Sequence, residues 1–251
     1  MDPDGHKACS FTNSGECIDI THLPYIPAGP LVNFAATAGF DDANGNYIAG
    51  SLETWSESEM AAIRTGALQT GRTLADFINA NHPGWDVTSQ QAFLMVHGGT
   101  LAFTKVGTSC GADPANSPGN TCGARTLGSR SVRVYTNADV VTNKEYWAVH
   151  ELGHAFVSAT GSRTPVNMLA EAIISNPLLG RGAEDEYAGF ASTLEHPWLW
   201  QHSPVNSASE IFADMYLGAA YNSWEVSPLG QDRSNFMAGN IALWVDLALR
   251  E

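Results

Sequence analysis

The sequence predicts one domain of the α+β class, and three observations carry that prediction. A capped helical segment with an apolar stripe fills part of the first half. A strand-like alternation of apolar and polar residues appears near residue 132. The second half is dominated by helical patterns, with no internal repeat, low-complexity tract or linker between the two halves. Hydrophobic residues make up 44% of the 251 and charged residues 15%, a balance that supports a packed core rather than disorder. The expected domain therefore spans residues 1–251.

Taken in order, residues 1–24 read as an irregular segment held by its cysteines. "YIPAGPLVNFAATAGF" places a short apolar run between prolines and glycines, the pattern of a strand. "SESEMAAIRTGALQTGRTLADFINAN" is helical: Ser56 and Glu59 form a capping-box pattern, and Met60, Ile63, Leu68, Leu74, Phe77 and Ile78 recur as a stripe. His82, Pro83 and Gly84 end it. "QAFLMVHGGTLAFTKVGT" reads as two strands about a Gly-Gly turn. "SRSVRVYTNAD" alternates Val132 and Val134 with Ser131 and Arg133, a half-buried strand leading into the next helix. A Gly/Pro-rich region (160–183) and the tryptophan-rich "HPWLWQH" follow. A helix is expected from about Ser207 and another over roughly 235–250.

Charge and cysteines bound the setting. The net charge is −14, from 26 acidic and 12 basic residues. Such a chain is repelled by phosphate backbones and anionic lipid surfaces, so neither nucleic acid nor membrane is an expected partner. No stretch approaches the roughly 20 apolar residues of a membrane span. The opening "MDPDGHKACS" lacks a basic-then-apolar leader and reads as a processed or truncated form. The cysteines fall in two close pairs, Cys9 with Cys17 and Cys110 with Cys122, separated by polar, turn-rich segments. Local pairing into two disulfides is the expectation, the alternatives being reduced thiols or one metal site. Disulfides would place the chain outside the cell.

The chemistry concentrates in "AVHELGHAF", where His150, Glu151 and His154 stand in H-E-x-x-H spacing. A chance match is expected in about one in a hundred chains of this composition. On a helix, His150 and His154 lie about 40° apart, so both rings reach one metal ion, while Glu151 stands beside it. Ala148, Val149, Leu152, Ala155 and Phe156 gather on the opposite side. Two neutral imidazoles suit one Zn²⁺ with room for a third ligand and a water, and Glu151 suits proton transfer from that water. Gly153, costly inside a helix by about 1 kcal/mol, points to a close backbone approach.

These five residues, "HELGH", resemble the signature of the zincin metallopeptidases, down to the central Leu-Gly. The resemblance implies a zincin-like fold: a small mixed sheet packed on the motif helix, with further helices in the C-terminal half. It also implies that the motif helix follows the edge strand that binds the substrate backbone, here "SVRVYTN". The metzincin continuation is excluded, since Val157 and Thr160 stand where Gly and His would be.

A gluzincin-like third ligand is a Glu on a later helix, with an Asp four residues on to orient a histidine. "SASEIFADMYLG" supplies Glu210 and Asp214 in that relation. Three alternatives remain. In the first, Glu210 merely caps its own helix with Ser207; Glu171 in "NMLAEAIISN" is a rival ligand; so is the acidic cluster Glu184, Asp185 and Glu186. For the oxyanion-stabilising donor that the superfamily implies, His202, Tyr187 and Tyr216 are available, with His202 and Tyr216 taken as the candidates. Trp198 and Trp200 are candidates to line a cleft, packing being the ordinary role of tryptophan. The expected function is a secreted, monomeric zinc endopeptidase acting on protein or peptide. The alternatives are an amide hydrolase of cell-wall material or a non-catalytic, metal-containing binding protein.

Overall fold

The computed structural model describes residues 26–42, 44–112, 123–136, 138, 143–161, 163–180 and 208–250, with the backbone of two short strands at 9–11 and 17–19. It has the mixed α+β character that the sequence predicts. Strand β1 (Cys9–Phe11) pairs antiparallel with β2 (Cys17–Asp19). The main sheet takes β3 (Val32–Thr37), then β6 (Leu101–Val106), β8 (Ser131–Val134) and β7 (Ala124–Thr126), in the order β3-β6-β8-β7. β3, β6 and β8 run parallel, and β7 returns antiparallel on β8. A hairpin of β4 (Gly39–Asp41) and β5 (Tyr47–Ala49) stands apart from that sheet.

The first long helix, α1 (Glu57–Asn81), begins where the sequence places it. The Ser56 hydroxyl accepts from the Glu59 N–H and the Glu59 side chain accepts from the Ser56 N–H, satisfying two of the orphan donors of a helix start. Its buried stripe includes Ile63, Ala67, Leu74 and Ile78. Two glycines let neighbours press in. A Cβ on Gly66 would stand 2.8 Å from the carbonyl of Glu145, and one on Gly71 would stand 2.4 Å from that of Ser89.

The first of the two strands expected around Gly98-Gly99 is instead a helix, α2 (Ser89–His97). The reason is local. Thr88 and Gln91 form a second capping box, and Gly98 ends the helix in the left-handed region at φ 70°, where glycine carries no Cβ penalty. Continuous burial of residues 92–97 left no periodicity by which to tell a buried helix from a buried strand. The second strand, β6, is present.

β8 keeps the predicted alternation, with Val132 and Val134 buried. It is not the sheet edge, however: β6 and β7 flank it, and β7 is the edge. Helix α3 (Lys144–Ala159) carries the histidine motif. The Gly/Pro-rich region yields α4 (Thr164–Ser175), started by Pro165 near its N-terminus. Then come α5 (Ala208–Tyr221) and α6 (Pro228–Ala248). α6 begins earlier than expected because Ser227 caps it and Pro228 occupies its first turn. None of the described helices is long and apolar enough to cross a membrane.

The cysteine expectation is corrected, since no bonded cysteine pair is found among the described residues. In the β1–β2 register Cys9 faces Asp19 and Cys17 faces Phe11, which puts the two cysteines diagonally across the ladder. Cys122 lies outside the described residues. Cys110 is not a free thiol and packs, fully buried, with Phe40, Val106 and Tyr135. The secreted location rested on those disulfides and loses that support.

His97 closes α2 inside the core, 1% exposed. Its Nδ1–H donates to the Ser129 carbonyl at 3.2 Å, and Nε2 has no partner. The Phe93 ring lies 4.6 Å away, centroid to centroid. Burial holds its pKa down to about 4, against the opposing pull of the Ser129 carbonyl. The unfolded chain takes up this proton near pH 6.5 and the folded chain only near 4, so its contribution to stability is complete above 6.5 and is lost as pH falls between them. Urea unfolding of the zinc-free protein at pH 7.5 and pH 5 checks this. The wild type is expected to lose about 2 kcal/mol more than His97→Phe over that interval.

Candidate metal centre

Helix α3 is buried on nearly every side, unlike the two-faced helix the sequence suggests. Tyr146 to Gly153 and Ala155 to Val157 are all buried, His150 and Glu151 included. A helix covered all round has little freedom to turn, so the directions of its polar side chains are fixed by packing. His150 and His154, one turn apart, hold their ring centroids 4.9 Å apart with planes at 85°.

Opposite them runs α5, and Gly153 sets how close it comes. A Cβ at Gly153 would stand 2.9 Å from Cα of Ala213 and 3.0 Å from Cβ of Tyr216. The backbone approach inferred from that glycine is present. It brings Glu210 and Asp214, themselves one turn apart on α5, against the imidazoles.

The resulting geometry pairs each imidazole at both nitrogens. Nδ1–H of His150 donates to Oδ1 of Asp214 at 2.6 Å, and Nε2 of His150 lies 3.3 Å from Oε2 of Glu210. Nε2 of His154 lies 3.4 Å from Oε1 of Glu210, and its Nδ1 lies 3.2 Å from the Ser209 hydroxyl. One donor atom from each of His150, His154 and Glu210 falls within 4.8 Å of the others. With metal bonds of about 2.0–2.1 Å, a tetrahedral zinc site separates adjacent donors by about 3.3 Å. The two Glu210 distances, one to each carboxylate oxygen, are close to that edge and long for hydrogen bonds, and the donor set of two imidazoles and a carboxylate is chemically suited to a zinc-sized ion. His150 forms the floor at 1% side-chain exposure, whereas Glu210 is 36% exposed. The centre opens on the Glu210 side.

Electrostatics agree with a site built for positive charge. Burial opposes charging His150, yet Asp214 and Glu210 raise its pKa well above the ordinary histidine value. Burial would likewise raise the Glu210 carboxyl, but the N–H groups and charge of the two imidazoles facing it hold it far below the usual carboxylate range. Glu151 moves the other way. Burial raises its pKa, against lowering by His154 and His150 and by a hydrogen bond from Thr126. The Thr126 hydroxyl donates to Oε2 of Glu151 at 3.1 Å.

Of the sequence candidates, the structure brings His150, Glu151, His154, Glu210 and Asp214 together. The carboxylate of Glu210 points at the imidazoles rather than back to its own helix start. Glu171 sits exposed on α4 and is not among the clustered donors. Tyr216 is corrected: it is 3% exposed, with its ring tilted against those of Phe156 and Phe212. It borders a small void with Thr70, Leu74 and Ile241, and its hydroxyl has no partner. Burial pushes its pKa far up, and it serves as core. Glu184, Asp185, Glu186, Tyr187, Trp198, Trp200 and His202 lie outside the described residues. Sequence reasoning missed Ser209 and Thr126, since a lone hydroxyl has no spacing signature.

No family model, no curated protein and no solved structure matches the chain.

Two variants probe the construction. Gly153→Ala should weaken zinc binding at least tenfold in a chelator competition and destabilise the fold by about 1–3 kcal/mol, because α5 must retreat from the added methyl. Asp214→Ala should lower zinc affinity about 10–100-fold by freeing the His150 ring, with Glu171→Ala as the unaffected control.

Proposed function

We propose that this protein is a zinc-dependent hydrolase of peptide bonds, with protein or peptide as substrate. One observation carries the reading: His150, His154 and Glu210 each offer a ligand atom within 4.8 Å of the others, beside the buried carboxylate of Glu151, which is not in that group. His150, His154 and Glu210 are the residues that would hold one zinc ion. When bound, zinc supplies Lewis acidity, lowering the pKa of a coordinated water towards about 7 and polarising a carbonyl.

The chain's own groups do the rest. Asp214 accepts the Nδ1 proton of His150, which fixes the tautomer and leaves Nε2 as the ligating atom. The Ser209 hydroxyl lies 3.2 Å from Nδ1 of His154 and by accepting its proton would leave Nε2 of that ring free in the same way. Glu151 accepts the proton released by the attacking water and passes it to the leaving amine nitrogen. Its raised pKa suits a group that must first take and then give a proton. Burial of Glu151 and of His150, at 4% and 1% exposure, keeps bulk water from competing for these hydrogen bonds.

The test is a zinc-loaded wild type against Glu151→Gln on protein, internally quenched peptide and cell-wall substrates. Glu151→Gln should retain zinc and lose at least about a hundredfold in kcat. Equal turnover by the two proteins would remove Glu151 from the chemistry. Turnover of cell-wall material alone would move the activity to another amide.

A further inference from the structure

The edge strand and the proposed base meet at one residue. In the β7–β8 ladder, Arg125 faces Arg133 and Thr126 faces Val132. Main-chain bonds join Leu127 to Ser131 and Tyr135 to Gly123 on either side. Antiparallel ladders alternate bonded and non-bonded pairs, so 123, 125 and 127 turn their main-chain groups towards β8. The N–H and C=O of Ala124 and Thr126 therefore point the other way, to the outer edge. Among the described residues nothing pairs with that edge.

The side chain of Thr126 goes elsewhere. Its hydroxyl stands 3.1 Å from Oε2 of Glu151 and 3.3 Å from the carbonyl oxygen of the same residue. Threonine is branched at Cβ and stiff about χ1, so the direction of its hydroxyl follows the strand backbone closely. The strand itself is held at its far turn. There the Ser129 carbonyl accepts from His97 and the Gly98 carbonyl accepts from Arg130.

We propose that Thr126 is a positioning residue that ties main-chain pairing of an extended substrate at the β7 edge to the Glu151 carboxylate. The proposal rests on the peptidase reading above. By donating to Oε2, the hydroxyl occupies one carboxylate oxygen and leaves Oε1 to take the proton of the attacking water. That proton then leaves Oε1 for the amine nitrogen as the C–N bond breaks, so Glu151 ends as it began. A substrate strand that pulls β7 into register also sets the angle of that carboxylate. Binding at the edge and proton transfer are linked through a single side chain.

The experiment compares zinc-loaded wild type, Thr126→Val and Thr126→Ser on internally quenched peptides, with zinc affinity measured by chelator competition. Valine keeps the shape and the outward main chain but cannot donate. Thr126→Val should lose about tenfold or more in kcat with KM within twofold, and zinc affinity should stay within twofold. Thr126→Ser should recover most of the loss, because it restores the donor. Thr126→Ala replaces the valine variant if the latter does not fold, with the same drop expected.

A valine variant with wild-type kcat overturns the proposal, as does a serine variant that falls as far as valine. Loss of zinc in Thr126→Val also overturns it, since the effect would then run through the metal site. A wild type that cleaves no peptide overturns the hydrolase reading, and this one falls with it. Wild-type turnover with an unaffected valine variant removes this inference alone.

Discussion

The contact between Gly153 and Ala213 is the constraint on which the rest of the centre depends. Two helices normally pack with axes about 8–10 Å apart, held off by side chains. Here the missing Cβ lets the backbone of α5 settle against α3 at the turn between the two histidines. Every polar distance in the centre follows from that approach. The 2.6 Å bond between Asp214 and His150, and the 3.3 and 3.4 Å separations to Glu210, all bridge α3 and α5. One glycine thus sets the spacing of four side chains.

The surrounding fold serves mainly to keep that pair of helices from shifting. α1 packs against α3 through Gly66 and against α2 through Gly71. Its Gln69 and Thr73 side chains donate to the carbonyl of Ala220 near the end of α5. At the same end of α5, Tyr221 donates to Glu145 in the first turn of α3 at 2.5 Å. Arg233 of α6, fully buried, donates to the Leu179 carbonyl and ties α6 to the short turn after α4. Burial lowers its pKa to about 10, short of neutrality at physiological pH.

Much of this was legible in the sequence because the informative residues were local. Ser56 with Glu59 announced α1, and the alternation at Val132 and Val134 announced β8. Gly153 announced a close approach though not its partner. The E-x-x-x-D relation located Glu210 and Asp214 because i,i+4 spacing is the same whether or not the partner helix is known. What stayed hidden was non-local or aperiodic. α2 was obscured because every residue from Ala92 to His97 is buried, and a buried run has no period to read. The edge strand was misplaced because β7 has three residues, too few to alternate, and its position depends on pairing. Tyr216 shares a helix with Glu210 and Asp214 yet faces the core, a matter of angle around α5 that composition does not reveal.

The brevity of β7 has a bearing on how copies of this protein behave towards one another. Among the described residues, Ala124 and Thr126 are the β7 positions with outward main-chain groups, so an incoming chain can form a ladder of at most a few bonds along that strand. Long bare sheet margins invite runaway self-association, and short ones do not. With a net charge of −14 also pushing copies apart, the β7 margin is too short to seed a fibril by itself.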